Sequence, residues 1–199
     1  NKAIQAKLDA LSTEKVDNIE IGGRNLYIDG SFESGNTHPV RGGGLWEIIP
    51  SDIARSGSNV LKCEYNNTTP RNSYHGRDIS LNIDEVYTFS VWVNISSDFA
   101  GSRVALYLEK GYGLSKSANL AIRDEWQKLI LYAPNNPTNR DVRVLLYVFG
   151  QTAGSVLFDE LKVEKGNKAT DWTPAPEDVQ AEIDDAKQEA LTAAGNAQN

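Results

Sequence analysis

Short apolar runs separated by clusters of turn-forming residues fill the chain between Gly22 and Thr173. This sequence pattern restricts the possible folds more than any other feature. Such runs, broken by glycine, asparagine and proline, are typical of antiparallel β-sandwiches. The pattern predicts strands over about 25–29, 45–50, 59–65, 76–82, 86–95, 103–109, 126–133, 141–149 and 155–164. We therefore expect a mainly β fold with one sandwich domain over 21–173, because this length suffices for one hydrophobic core.

At both ends of the chain, a helical periodicity of apolar residues replaces this pattern of short strands and turns. Apolar residues recur at steps of three and four within 1–20 and again within 174–199, where two prolines mark the start of the second helix. The main stripe residues are Ile4, Leu8, Leu11, Val179 and Ile183. Isolated helices shorter than about 12–15 residues are marginal in water, so each helix needs a partner. Two alternatives stay open: the helices pack on the sandwich or on one another, or they are stubs of a coiled coil.

Charge and cysteine content exclude several classes of protein. The formal net charge of −7 disfavours nucleic acids and anionic membranes as partners, because both bind clustered lysine and arginine. No apolar run approaches the roughly 20 residues that span a bilayer. Cys63 is the single cysteine, so an intrachain disulfide is excluded. The sequence also lacks methionine, even at position 1, and we expect it to be an excerpt of a longer chain.

Outward-facing aromatic residues suggest a binding surface. Side chains of a strand alternate between two faces, and in three predicted strands an aromatic falls on the face away from the core: Trp92, Tyr107 and Tyr147. Together they predict a platform that could stack on the C–H faces of sugar rings. The polar residues predicted to bond sugar hydroxyls beside it are Arg143, Glu109 and Asn94. The alternative is that the aromatics fill a second core beneath a loop or helix.

Four segments form a recognisable ordered set: NLYIDGSFESG over 25–35, SNVLK over 58–62, YTFSVWV over 87–93 and VLFDEL over 156–161. In this order they resemble the jelly-roll carbohydrate-binding modules found beside xylanases and glucanases. The resemblance covers about 24–164 and implies an antiparallel jelly-roll sandwich that binds saccharide without catalysis.

The borders of this region read GGRNL over 22–26 and VEKGNKATDWTPAPED over 163–178. They look like the borders of such modules in tail and baseplate proteins of phages that infect Gram-positive bacteria. This resemblance implies a domain on a helical shaft that binds host cell-wall or surface polysaccharide during adsorption. We accordingly expect a location in the virion, or on a bacterial cell surface, with other tail-protein subunits as partners and homotrimerisation through the flanking helices.

The same family commonly holds a structural calcium between its opening segment and an aspartate of its closing strand. The matching positions are Glu33 and Asp159, so the resemblance implies calcium bound there. Strand alternation places Asp159 on one face with the apolar Leu157, Leu161 and Val163, where a carboxylate needs a cation or hydrogen bonds. The alternative is a carboxylate bonded to backbone amides or to an arginine.

Catalysis is not predicted. A glycosidase needs two carboxylates across a cleft, and Glu109 is the single acid that the alternation sets beside the aromatics. No histidine cluster has metal-ligand spacing, and no glycine-rich loop opens a helix after a strand. The rival hypothesis is structural: the sandwich is a spacer on a trimeric fibre, and its aromatics contact neighbouring protomers.

Overall fold

Two antiparallel five-stranded sheets stack face to face in the computed structural model, which describes residues 23–35, 40–42, 45–82, 84–110, 112–134 and 141–196. The first sheet has the order β1-β4-β9-β6-β7 and the second the order β2-β3-β10-β5-β8. The elements are β1 (Val40–Gly42), β2 (Leu45–Pro50), β3 (Asn59–Glu64), β4 (Arg71–Ser80), β5 (Tyr87–Ile95), β6 (Arg103–Glu109), β7 (Leu114–Ser117), β8 (Trp126–Ala133), β9 (Asp141–Gln151), β10 (Ser155–Lys165) and α1 (Pro176–Asn196). The predicted mainly β sandwich and its C-terminal helix are confirmed. The predicted helix over 1–20 lies outside the described residues.

The core fills the space between the sheets with alternate residues of each strand. Phe89 and Val91 of β5 and Val144 and Leu146 of β9 are fully buried there, while the residues between them turn to the outer faces. Burying each such side chain stabilises the fold by about 1.5–3 kcal/mol. Period-two alternation therefore identified the core face of these strands.

The first predicted strand, over 25–29, is wrong. These residues form a turn-rich lead-in, because the Asn25 side chain accepts hydrogen bonds from the amides of Tyr27 and Val163 at 3.0 Å each. Asp29 then adopts a positive φ of 58°, which a continuous strand does not accommodate. Two short strands that the sequence did not predict, β1 and β7, form the edges of the first sheet.

A β-bulge in β10 changes the faces of the closing strand. The pairing with β5 shifts register between Asp159 and Lys162, and Glu160 has a φ of 52°. Phe158 and Val163 therefore both point into the core, although they are five positions apart, an odd spacing that puts residues of a regular strand on opposite faces. The predicted grouping of Asp159 with Leu161 and Val163 is accordingly wrong, because the extra residue reverses the alternation beyond it.

Lys162 and Glu164 follow the bulge on the outer face of the second sheet and bind the segment that leads to α1. The Lys162 ammonium donates to the Thr170 hydroxyl at 2.7 Å and to the Asp171 carbonyl at 2.6 Å. The Glu164 carboxylate accepts from the Thr170 amide at 2.9 Å and lies 3.4 Å from the Lys162 ammonium. Both side chains are 1% exposed, so this buried pair fixes the outgoing chain to the sheet.

The α1 helix begins where the incoming and outgoing chains meet. Pro176 is its first residue, and Glu177 and Asp178 complement the positive end of its dipole. The Asp178 carboxylate also accepts from the Asp29 amide at 2.8 Å, and Glu177 pairs with Arg24 at 2.5 Å. In the part of the chain that the structure describes, no helix has the length and apolar content needed to cross a bilayer.

Candidate functional site

Three tyrosines from adjacent strands lie side by side on the outer face of the first sheet. Tyr74 of β4 is paired directly with Tyr147 of β9, and their ring centroids are 5.4 Å apart. Tyr107 of β6 approaches Tyr147 from the other side, with centroids 6.2 Å apart. These rings face outward because the valines and leucine that alternate with Tyr147 in β9 fill the core.

A groove of about 410 Å³ runs over these rings. Its lining consists of Tyr74, Arg103, Tyr107, Glu109, Leu145, Tyr147 and Phe149, and we call it the tyrosine groove. Burial, followed by the nearby tyrosines and Glu109, raises the pKa of Tyr147. Its hydroxyl is therefore protonated at neutral pH and can both donate and accept hydrogen bonds.

One end of the groove carries a fixed cation. The Arg103 guanidinium donates to the Ser117 hydroxyl at 2.8 Å and to the Ser115 hydroxyl at 2.6 Å, both from the edge strand β7. It also lies 5.7 Å from the centre of the Phe149 ring. These contacts hold Arg103 at the groove without satisfying all five of its N–H donors.

An ion-pair network closes the other end. The Arg143 guanidinium donates to Asp78 at 2.7 Å and to Glu109 at 3.1 Å, and Lys110 also pairs with Asp78. Hydrogen bonds from Arg143 and Lys110 lower the pKa of Asp78 to about 2. The Glu109 side chain is 47% exposed and keeps accepting positions free for a ligand. The sequence predicted that Arg143 contacts the sugar directly. Arg143 lies outside the groove lining, however, and its hydrogen bond orients the Glu109 carboxylate instead.

Trp92 and Asn94 lie on the opposite side of the molecule, so the predicted single platform of three aromatics is wrong. Both belong to β5 of the second sheet, where Trp92 pairs with Asp159 of β10 and Lys128 of β8. The Arg55 guanidinium covers the Trp92 ring at 3.6 Å from its centre, and Asn94 is buried. For Trp92 the alternative arrangement, an aromatic packed beneath a loop, is the one observed.

Glu33 and Asp159 anchor the loop between β2 and β3. Glu33 accepts from the amides of Ser58 at 2.9 Å and Asn59 at 2.7 Å. Asp159 accepts from the amides of Arg55 at 2.7 Å and Glu160 at 2.6 Å. Burial raises the pKa of Asp159 to about 6, and these amide hydrogen bonds oppose the rise.

The two anchoring carboxylates do not fit the predicted calcium ion. Their oxygens face N–H donors, which occupy the lone pairs that a cation would need. Within the described ranges, no group of three or more histidine, cysteine, aspartate or glutamate side chains could hold a metal ion. For Asp159 the structure therefore shows the alternative that the sequence analysis left open, in which backbone amides donate hydrogen bonds to the carboxylate.

The remaining groove residues could be found from the sequence only in part. Alternation within β9 turns Leu145 and Phe149 to the same outer face as Tyr147, which the sequence predicted. Tyr74 lies outside the predicted strand over 76–82, because β4 begins at Arg71, five residues before that strand. Arg103 is the first residue of β6, and the four residues of β7 that hold it are too few to give a strand signal.

Solved structures show how the fold relates to known proteins. The chain is similar to a family 61 carbohydrate-binding module in complex with β-1,4-galactotriose, with a TM-score of 0.57 and 16% identity over 72% of this chain and 99% of that one. It is also similar to a family 22 xylan-binding domain from Paenibacillus barcinonensis, with a TM-score of 0.52 and 17% identity over 74% of this chain and 97% of that one. At these identities the similarity establishes the shared β-sandwich fold.

A third similar structure is the enzymatically active domain of a bacteriophage CBA120 tailspike protein. The TM-score is 0.53 and the identity 12%, over 71% of this chain but 21% of that one. No protein-family model matches the chain, and no curated protein matches its sequence.

Proposed function

We propose that this chain is a non-catalytic saccharide-binding module and that the tyrosine groove is its site. The observation that carries the proposal is the set of three adjacent tyrosines, Tyr74, Tyr107 and Tyr147, turned away from a complete core into an open groove. Tyrosine rings cover the apolar C–H face of a sugar, and their hydroxyls meet its polar edge. Arg103 and Glu109 supply a donor and an acceptor at the two ends of the groove.

Two solved neighbours support a saccharide as the ligand. One is a module in complex with β-1,4-galactotriose and the other a xylan-binding domain, and both share this sandwich over most of their length. Linear neutral polysaccharides are therefore the first ligands to test. A groove that stacks rings and offers few charges suits such chains better than it suits highly charged polymers.

The groove favours binding over hydrolysis. Glu109 is the one carboxylate among the described lining residues, and it is paired with Arg143 at 3.1 Å. Glycoside hydrolysis requires two carboxylic groups about 5–5.5 Å or 6.5–9.5 Å apart. A lone carboxylate held by an arginine is instead suited to accept hydrogen bonds from sugar hydroxyls.

We further propose that the module serves adsorption of a phage to saccharide on its host surface. The border motifs around 22–26 and 163–178 support this setting, and so does the similarity to a tailspike domain. Virion tail subunits are then its structural partners, and the host cell wall carries its ligand.

The experiment is retention of the chain in affinity gels that contain xylan, β-1,4-galactan or purified Gram-positive cell-wall polysaccharide. We expect retardation in at least one gel, and loss of that retardation in the triple variant Tyr74→Ala, Tyr107→Ala, Tyr147→Ala. Equal mobility in every gel and no pull-down on intact cell walls would contradict saccharide binding.

The second candidate function is a spacer on a fibre. The observation that favours it is the ion pair between Arg24 and Glu177, which holds the incoming and outgoing chain segments together beside the start of α1. A domain inserted into a shaft is expected to have its two ends close together in this way. A chain that binds no saccharide and no cell wall, yet assembles with other tail subunits, would establish this function instead.

A further inference from the structure

One face of α1 is less exposed than the rest of the helix, although neither sheet packs extensively against it. The face consists of the buried Val179 and Ile183 and the half-buried Lys187, Ala190 and Ala194, and we call it the α1 stripe. Between Asp184 and Gly195, all residues outside the α1 stripe are exposed. The steps of four, four, three and four are those of a single helix face.

The α1 stripe does not face the sandwich. Asp178, Glu182 and Asp185 line the cleft between α1 and the lead-in turn, together with Ser31 and Glu33 of that turn. On a helix with 3.6 residues per turn, these three acidic positions lie more than a quarter-turn away from Ile183. The sandwich therefore leaves the stripe to another part of the molecule.

The chain reaches the sandwich beside the start of this helix. Gly23 has a φ of 64°, and a side chain there would collide with Glu164 and Thr170. The Thr173 hydroxyl donates to the Gly23 carbonyl at 3.5 Å, and Arg24 pairs with Glu177 in the first turn of α1. The first described residues, Gly23 and Arg24, therefore lie beside the base of α1.

We infer that the predicted helix within 1–20 packs antiparallel along the α1 stripe, so that both ends of one chain form a two-helix stalk. A helix of 20 residues and the 21 residues of α1 are both about 30 Å long. Running the predicted helix back from Gly23 sets its apolar residues Ile4, Leu8 and Leu11 against the stripe, with Lys15 at the base. The facing pairs are Lys15 with Val179, Leu11 with Ile183, Leu8 with Lys187 and Ile4 with Ala190.

Charge favours this occupant over a second copy of α1. The helix carries six carboxylates and one lysine: Glu177, Asp178, Glu182, Asp184, Asp185, Glu189 and Lys187. Copies of α1 packed on one another would bring these like charges together. Residues 1–20 carry three lysines and four carboxylates and are nearly neutral, and the register sets Lys15 beside Glu182 and Lys7 beside Glu189.

Disulfide trapping in the full 199-residue chain tests the pairing. The variant Leu8→Cys, Lys187→Cys should oxidise to an intramolecular disulfide that speeds migration in a non-reducing gel. The matched control, Leu8→Cys with Gln188→Cys, places the second thiol on the exposed side of α1 and should stay reduced. The native Cys63 is buried and its thiol pKa is raised to about 12, so it does not compete.

Two results would overturn the inference. Disulfide-linked dimers or trimers from the Leu8→Cys, Lys187→Cys variant, with a sedimentation mass above 21.9 kDa, would assign the stripe to another copy and restore the predicted homotrimer. Removal of residues 1–20 should also abolish hydrogen-exchange protection in α1 and leave the sandwich protected. Unchanged protection of α1 would show that the N-terminal segment does not cover it.

Discussion

Replacing Lys162 with methionine tests whether a buried ion pair holds the segment that connects the sandwich to α1. The Lys162 ammonium is 1% exposed and donates to Thr170 and Asp171, with Glu164 at 3.4 Å. Methionine replaces the unbranched apolar stem of lysine but removes its charge and its hydrogen bonds, and so leaves the Glu164 carboxylate buried without its cation.

The expected cost follows from these contacts. Removing one partner of a buried ion pair destabilises a protein by about 3–5 kcal/mol. In the variant, Glu164 keeps its hydrogen bonds from the Thr170 amide at 2.9 Å and the Thr170 hydroxyl at 2.6 Å. Because these bonds still stabilise the buried carboxylate, we expect a loss at the lower end of that range, about 3 kcal/mol. For a chain of this size that lowers Tm by about 6–12 °C.

Urea unfolding followed by tryptophan fluorescence, together with calorimetry, measures this loss. Lys165→Met is the matched control, because Lys165 is 64% exposed and solvent screens its pair with Glu85. The double variant Lys162→Met, Glu164→Gln should lose less stability than Lys162→Met alone, since no buried charge is left unpaired. The reasoning fails if Lys162→Met is as stable as Lys165→Met, or if the double variant loses the sum of the two single losses.

Three further predictions concern the second sheet and its loop. Calcium and EDTA should each leave Tm unchanged, because amides already satisfy Glu33 and Asp159; a rise in Tm with calcium would contradict this. The Asp159 pKa of about 6 lies above its unfolded value of 3.8, so the folded state binds the proton more tightly than the unfolded state. The stability that this group contributes is therefore lost as pH rises from 4 to 6, by about 3 kcal/mol in total. Asp159→Asn should flatten this part of the pH dependence of unfolding, and an unchanged slope would refute the assignment. Trp92→Ala should lower Tm through loss of the Arg55 contact but leave saccharide retention intact, and lost retention in a folded variant would return Trp92 to the site.

Local alternation predicted the outward faces but not the sheet to which each strand belongs. Tyr107 and Tyr147 met as predicted because β6 and β9 are neighbours in the first sheet. Trp92 shows the same outward signal, yet β5 lies in the second sheet, so its ring is on the far side of the core. Sheet membership depends on long-range pairing, which the residues within a strand do not encode.

Backbone irregularities account for the other differences between prediction and structure. The bulge between Asp159 and Lys162 reverses the alternation of β10, and no glycine or proline marks it in the sequence. The predicted strand at 25–29 fails because the Asn25 side chain competes for the backbone hydrogen bonds of that segment. Both features involve distant parts of the chain: Asn25 bonds Val163, and Leu161 of the bulge bonds the Gly30 carbonyl.

Saccharide titration of Tyr147→Ala beside Tyr132→Ala tests the central claim most directly. Tyr147 is the middle ring of the tyrosine groove, while Tyr132 is 51% exposed on the edge strand β8 of the second sheet. With the polysaccharide that retains the native chain, we expect Tyr147→Ala to weaken binding at least about tenfold, the effect of losing one stacked ring, roughly 1.4 kcal/mol or more. Tyr132→Ala should bind as the native chain does. Native affinity in a folded Tyr147→Ala variant, or an equal loss in both variants, would contradict the groove as the binding site.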